Sequence, residues 1–319
     1  MSHEVETMAY VNETPWHGLG NQLTPHQPLE VWAQQAGLNW EVCSSPVQFM
    51  PTQENYLGKG ESYSDKSVLY RSDTKAPLSV VGSRYKVVQP REVLEFYRDL
   101  TERSGFELET AGVLKGGKKL WALARTGQST SLRGNDVSNG YVLLATACDG
   151  SMATVAQFTS IRVVCNNTLA VALTEGEGVI KVPHSKTFNA LEVKKALGIS
   201  VSAWDDFMYQ MKALSERRIN NREANKFIDQ VFSIPNLVTK SQANERAKST
   251  VLALYNGHGK GADLISAKNT AFGLLNAVTE FVDHERKARD TGYRLDSAWF
   301  GQGAIIKDRA LKKTLILTA

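Results

Sequence analysis

The sequence predicts an α+β fold: an antiparallel sheet of β-hairpins packed on a central helix, followed by a mostly helical C-terminal region. Three observations carry this. Two glycine-bearing dipeptides, Gly116–Gly117 and Asp149–Gly150, each sit between alternating apolar runs, the strongest short-range hairpin signal. Pro90 opens a segment in which Val93, Leu94, Phe96, Tyr97 and Leu100 recur with a 3.6 period. Past a short apolar piece at Val179 to Pro183, the pattern is helical from 187 to 317. Strands first and helices afterwards define the class.

In chain order, Asn12 to Pro28 is polar and punctuated by Gly and Pro, which argues against a regular element there. Pro28 to Gly37 reads as a short helix with Leu29, Trp32, Ala33 and Ala36 on one face, and Trp40 to Met50 as a strand. SVLYRS (67–72) and LSVVGSRYKVV (78–88) flank turn chemistry at Asp73 to Pro77 and form a first hairpin. The helix from Pro90 ends near Gly105. FELETAGVLK with KLWALART, and YVLLATAC with SMATVAQF, are the second and third hairpins, giving one sheet of about five or six strands over 40–160. After Thr159, the spacing of Ile161, Val164, Cys165, Leu169 and Ala172 predicts a helix ending before Gly176, with Asn166 and Asn167 inside it. The later helices break near Asn220, Pro235, Asn256 to Gly261 and Gly292. The expected organisation is an arm with a short helix (1–37), a sheet with packed helices (38–186), and a helical region (187–319) packed on the sheet or on a neighbouring subunit.

The chain has 319 residues, 42% hydrophobic and 22% charged, which excludes wholesale disorder and fibrous repeats. The three cysteines, Cys43, Cys148 and Cys165, lie in apolar runs without C-x-x-C pairing, as expected for a reducing compartment. The start MSHEVETMAY lacks the basic and apolar regions of a signal peptide, and no stretch approaches 18 consecutive apolar residues. A cytoplasmic protein with no membrane partner is expected. Charge is uneven: residues 1–80 carry 4 Lys/Arg against 9 Asp/Glu, the remainder 33 against 24. A polyanion partner for the middle and C-terminal parts fits this asymmetry, as does an ordinary soluble surface.

Catalytic signatures are missing. The sequence contains no Walker phosphate loop, dinucleotide fingerprint, nucleophile elbow or H-E-x-x-H. The nearest glycine-rich piece, Trp16-His17-Gly18-Leu19-Gly20, reads best as a turn pinned by Trp16. The six histidines are scattered, none at metal-ligand spacing to another histidine or a cysteine, so no metal, cofactor or catalytic residue is expected. Basic residues interleaved with aromatics are more informative. Arg84 and Lys86 share one strand face while Tyr85 takes the other, and Lys115, Lys118 and Lys119 precede Trp121 and Arg125 on the second hairpin. Cations for phosphates beside π faces for bases are the combination that binds single-stranded nucleic acid; the same lysines also fit plain solubility residues flanking a turn, and Trp121 a core position. Arg162, beside the two asparagines, and Lys268, at the start of a helix with small residues, complete the candidates.

Several segments together carry a family resemblance: ETPWHGLG, SRYKVVQP followed by a helix, GGKKLWALA, FTSIRVVCNNTL, and NTAFGLLNAVTEFVDH followed by FGQGAIIKDRAL. From about Thr14 to Leu311 the chain resembles the phage/plasmid-like protein family, a domain-of-unknown-function family whose name carries no activity. More distantly, the order of hairpins and helices, with Lys268, Phe272, Gly273 and Asn276 in sequence, is similar to single-strand annealing proteins of the eukaryotic Rad and phage Sak, Erf and Red-beta type. That likeness implies a curved antiparallel sheet on a central helix, assembly into homo-oligomeric rings or filaments, and single-stranded DNA in a basic groove, with no nucleotide hydrolysed. It also implies a phage nuclease or a host single-strand binding protein as a further partner, and assigns Arg84, Lys86, Lys118, Lys119, Arg125 and Lys268 as phosphate contacts. This chain has only Lys268 on the late helix, where those proteins carry several cations. The expected function is therefore single-stranded DNA binding and annealing; a protein-interaction factor of a mobile element, using its aromatic N-terminal arm on a host or defence protein, is the alternative.

Overall fold

A computed structural model describes residues 5–12, 20–51, 60–104, 106–162, 164, 167–170, 179–197, 201–232, 242–289 and 291–317. The N-terminal WHGLG motif with His17, and Cys165, Asn166 and Pro235, lie outside the described residues. The chain forms two compact units that are discontinuous in sequence: the first comprises 1–125, 142–157 and 179–197, the second 126–141, 158–178 and 198–319.

The chain opens with β1 (Val5–Val11) and β2 (Asn21–Leu23), which pair in parallel, Ala9 facing Asn21. The polar arm from Asn12 to Pro28, expected to hold no regular element, contains β2, whose three residues are held by β1 and by Asn21 Nδ2 donating to the Gln35 carbonyl. The short helix α1 (Leu29–Gln35) follows Pro28 and buries Trp32. Next come β3 (Val42–Phe49), β4 (Glu61–Arg71) and β5 (Pro77–Gly82), antiparallel in register with Val42 opposite Arg71 and Val68 opposite Val80. Helix α2 (Pro90–Ser104) presents the expected face, with Val93, Leu94, Phe96 and Tyr97 all at most 1% exposed. Full burial of each such side chain contributes about 1.5–3 kcal/mol. The Tyr97 hydroxyl donates to the Ala122 carbonyl at 2.7 Å, so the polar end of this buried ring is satisfied.

The second hairpin is β6 (Glu107–Leu114) and β7 (Lys119–Leu132), with Gly112 opposite Trp121. Its turn has four residues, Lys115 to Lys118, rather than two, and Lys115, Gly116 and Gly117 all adopt positive φ (54°, 66° and 97°). β8 (Asp136–Ala147) and β9 (Thr154–Arg162) are joined around Gly150 (φ 72°), with the Asp149 carboxylate accepting from the Ser151 amide. Among the described residues, the helix expected after Thr159 does not form. Thr159 to Arg162 extend β9, and β10 (Asn167–Ala170) pairs back on it, Asn167 opposite Arg162 and Ala170 opposite Thr159. Thr159 and Ile161 are β-branched and favour a pleated backbone, and a helix-like apolar spacing this short cannot outweigh cross-strand pairing. β11 (Val179–Val182) pairs with the other half of β9.

Strands thus fall into two sheets rather than one: β3-β4-β5, and a path β10-β9-β8-β7-β6-β1-β2 with β11 added on β9. The helical remainder comprises α3 (Ala190–Leu197), α4 (Val201–Glu216), α5 (Asn221–Phe232), α6 (Gln242–Ala253), α7 (Ala271–Glu280), α8 (Thr291–Phe300) and α9 (Gln302–Ile316). Helix α7 is buried along its whole length. Thr270 caps it, its hydroxyl accepting from the Gly273 amide. A Cβ at Gly273 would stand 1.9 Å from the Ala267 carbonyl oxygen, so only glycine permits this approach. Wide π-helical turns follow α6 at Leu254–His258 and α7 at Phe281–Glu285.

Candidate nucleic-acid interface

In the first unit, β5 stops at Gly82 and the Tyr85 amide closes a turn onto the Gly82 carbonyl (3.0 Å). Arg84, Tyr85 and Lys86 therefore leave from a turn rather than a strand, yet the separation expected from the sequence survives. Arg84 and Lys86 are exposed, whereas Tyr85 turns inward. Its hydroxyl donates to the Ala147 carbonyl (2.7 Å), and its ring stacks on His184 with centroids 4.5 Å apart and planes 17° from parallel. Burial, with the neighbouring Cys148 and Asp149 adding to it, holds the phenol well above its ordinary pKa, so it stays a neutral donor. The Lys86 amide donates to the His184 carbonyl, and the Lys86 carbonyl lies 2.9 Å from His184 Nδ1. A carbonyl only accepts, which puts the imidazole proton on Nδ1.

One residue beyond Ala147, the Cys148 amide donates to the Lys118 carbonyl (2.7 Å), and Ser79 Oγ donates to the Cys148 carbonyl (2.7 Å). Two basic segments remote in sequence, Arg84–Lys86 and Lys115–Lys118, are thereby tied to adjacent peptide groups at the start of one turn. Lys115 and Lys118 are half-buried. Lys181 and Lys186, both exposed, flank His184 and add charge that the sequence reading missed; the motif Lys181-Val-Pro-His-Ser-Lys186 was the available signal. Asp149 is the carboxylate in this group, and its Oδ1 is engaged by the Ser151 amide. The Cys148 thiol, pushed up to about 12 by burial and by Asp149, is no nucleophile at neutral pH.

Two expected phosphate contacts, Lys119 and Arg125, and one further candidate, Arg162, are corrected. Lys119 is 8% exposed and Trp121 1%, because β7 is an interior strand with β6 and β8 on either side and both faces covered from 119 to 124. The Lys119-Trp121-Leu123 stripe is core, not a binding surface. Arg125, half-exposed, spends its guanidinium on Glu109, with Nη2 to Oε2 at 2.8 Å. Arg162, in the second unit, is 4% exposed and paired with the buried Asp136 through Nε (2.7 Å) and Nη2 (2.6 Å), and Nη2 also reaches the Gly261 carbonyl (3.1 Å). Lys268, also in the second unit, is exposed in the turn before α7, with Nζ 3.8 Å from Asp263.

Around Arg162 the second unit is unusually polar for an interior. Ser266 Oγ donates to Asp136 Oδ2, and the Glu280 carboxylate accepts from the Lys260 amide at 3.0 and 3.1 Å. Burial raises the Glu280 pKa, against the opposing pull of the Lys260 amide and the charges of Lys260 and Arg162. A small cleft beside this network is lined by Ser138, Ser160, Phe207, Phe272, Asn276 and Thr279 among others. Lys307 Nζ pairs with Asp283 Oδ1 and donates to Thr168 Oγ1, each at 2.7 Å. Arg162 with Asp136 and Lys307 with Asp283 are matched pairs; among the described residues no group of three or more His, Cys, Asp or Glu is placed to hold a metal ion, and no helix is long and apolar enough to cross a membrane.

A family model described as a domain of unknown function, DUF932, matches residues 77–299. The chain belongs to the DUF932 family. No curated protein and no solved structure matches this DUF932 chain. The matched region includes the whole Arg84–Lys86 and Lys115–Lys118 cluster.

Proposed function

We propose that this DUF932 protein binds single-stranded DNA through the basic turn cluster of its first unit and, as a non-enzymatic protein of a phage or plasmid, promotes annealing of complementary strands without hydrolysing nucleotide. The observation that carries the reading is the convergence of Arg84, Lys86, Lys115 and Lys118 on the turn after β8, with Lys181 and Lys186 flanking His184. Cations on short turns capture phosphates without covalent chemistry, and the Tyr85–His184 stack fixes their base. Assembly into a ring or filament, with a nuclease or a host single-strand binding protein alongside, follows from the distant likeness to annealing proteins.

The test is fluorescence anisotropy of a labelled oligo-dT with the wild type and K86E/K118E. Wild-type affinity should fall steeply between about 50 and 200 mM salt, and the variant should bind at least about tenfold more weakly at low salt with an unchanged melting temperature. Equal affinities, or no wild-type binding at about 50 mM salt, would reject the proposal.

A second reading, a factor that binds a host or defence protein, draws on the outer ends of β3 and β4. Residues 61–66 are all exposed, and Phe49 (50%) and Tyr63 (51%) stand on the same face of that ribbon. The tested arm in that case is F49S/Y63S, which should leave DNA binding unchanged.

A further inference from the structure

We infer that the second unit carries a separate site for a single-stranded nucleic-acid backbone on the loop leading into α8, with Lys287 and Arg289 as its cations and Tyr293 as its stacking ring. The inference rests on the nucleic-acid reading above. Arg286, Lys287, Arg289 and Arg294 lie within nine residues, the sequence ERKARDTGYR running from Glu285 to Arg294. Their roles divide cleanly. Arg286 Nη1 donates to Ser297 Oγ (2.5 Å), Arg294 Nε donates to the Arg286 carbonyl (3.1 Å), and the Arg286 amide closes onto the Phe281 carbonyl (2.7 Å). These three bonds pin Arg286 between the preceding wide turn and α8.

Lys287 and Arg289 are left exposed, and among the described residues neither makes an ion pair. Elsewhere in this unit many cations are neutralised: Arg162 by Asp136, Lys307 by Asp283, Arg217 by Glu223, Lys248 by Asp229 and Lys312 by Asp308. The Arg289 guanidinium lies over the Tyr293 ring, 5.2 Å from its centroid, and Nη1 is 3.4 Å from the phenol oxygen. A planar cation over a half-exposed ring offers donors to a phosphate and a π face to the adjoining base. Two acids lie close in sequence: Glu285, exposed, sits on the far side of Arg286 from Lys287 along the chain, and Asp290, which follows Arg289, lies outside the described residues. The consequence is one backbone site on each unit of the same chain.

The experiment uses the full-length protein, labelled oligo-dT and a salt series, with K287E/R289E, Y293A and the control R222E/K226E, which makes the same charge change at exposed cations of α5 that have no aromatic partner. K287E/R289E should weaken binding about tenfold at low salt and lower the slope of log affinity against log salt by about 1.4, the loss of two single-strand phosphate contacts. Y293A should weaken binding at least about fivefold with the slope kept. The control should move neither quantity. Wild-type behaviour in K287E/R289E, or an equal loss in R222E/K226E, overturns the second site while the loss in K86E/K118E leaves the proposed function standing. No binding by the wild type at low salt overturns both.

Discussion

Replacing Asp136 by Ala should be among the most damaging single substitutions in the second unit, although it touches no proposed ligand. Asp136 is 1% exposed and receives two charge-assisted hydrogen bonds from Arg162, at 2.7 and 2.6 Å, and one from Ser266. Without it, a guanidinium 4% exposed loses its carboxylate, while the carbonyls of the 260–261 loop stay 3.1 and 3.4 Å away and the Phe272 ring lies beneath it. Breaking one side of a buried pair costs about 3–5 kcal/mol, because the remaining charge is neither solvated nor neutralised. For a unit of this size that is a fall of about 6–20 °C in melting temperature. Arg162→Met should cost somewhat less than D136A, since Ser266 still donates to the orphaned carboxylate. The double variant D136A/R162M removes both charges and should be much milder than the sum of the singles, by at least about 2 kcal/mol of coupling. Differential scanning calorimetry of the four proteins completes the cycle. Single substitutions costing under about 1 kcal/mol, or a double variant that is merely additive, would show that the pair does not hold the loop in the way argued.

Three further outcomes follow from other contacts. Burial raises the Glu280 pKa, so its contribution to stability is fullest below the unfolded value of about 4.3 and is lost as pH rises through the folded one; E280Q, whose carbonyl still accepts from the Lys260 amide, should melt higher than wild type at pH 7, and the gap should close toward about pH 4. Asp73 runs the opposite way: the Arg71 hydrogen bond lowers its pKa to about 2, so stability is present above the unfolded value of about 3.9 and is lost as pH falls through about 2. Thermal melts of D73N and wild type should differ at neutral pH and converge over that acid window. G273A, which sets a methyl against the Ala267 carbonyl at 1.9 Å, should cost about 3 kcal/mol or more, read as a lower denaturant midpoint with unchanged m-value.

What the sequence made legible was local. The turns at Gly116–Gly117 and Asp149–Gly150 announce themselves because positive φ is written in glycine, and α2 because its period and its opening proline agree. The helix expected after Thr159 failed because its apolar spacing is the same information that a strand edge carries; only the pairing of Arg162 with Asn167 decides between them. Nor does parity along β7 say whether Lys119, Trp121 and Leu123 line a surface, since that depends on what covers the strand and not on the strand.

The candidate site was half legible for the same reason. Lysines and arginines can be counted in a sequence, but their availability to a ligand is set by the acids the fold brings to them. Asp136 reaches Arg162 from 26 residues away, and Glu109 reaches Arg125 from 16, so two of the strongest candidates were spent on the fold itself. Arg84 and Lys86 escaped that fate because Tyr85 between them is drawn down onto the Ala147 carbonyl, leaving its neighbours outward. Lys287 and Arg289 escaped it because Arg286 and Arg294 make the anchoring bonds of their loop instead. In both places residues within a basic segment, Tyr85 in one and Arg286 with Arg294 in the other, hold the backbone while the neighbouring cations stay exposed. That division, rather than the density of positive charge, is the feature that distinguishes the two proposed segments from the salt-bridged cations of this chain.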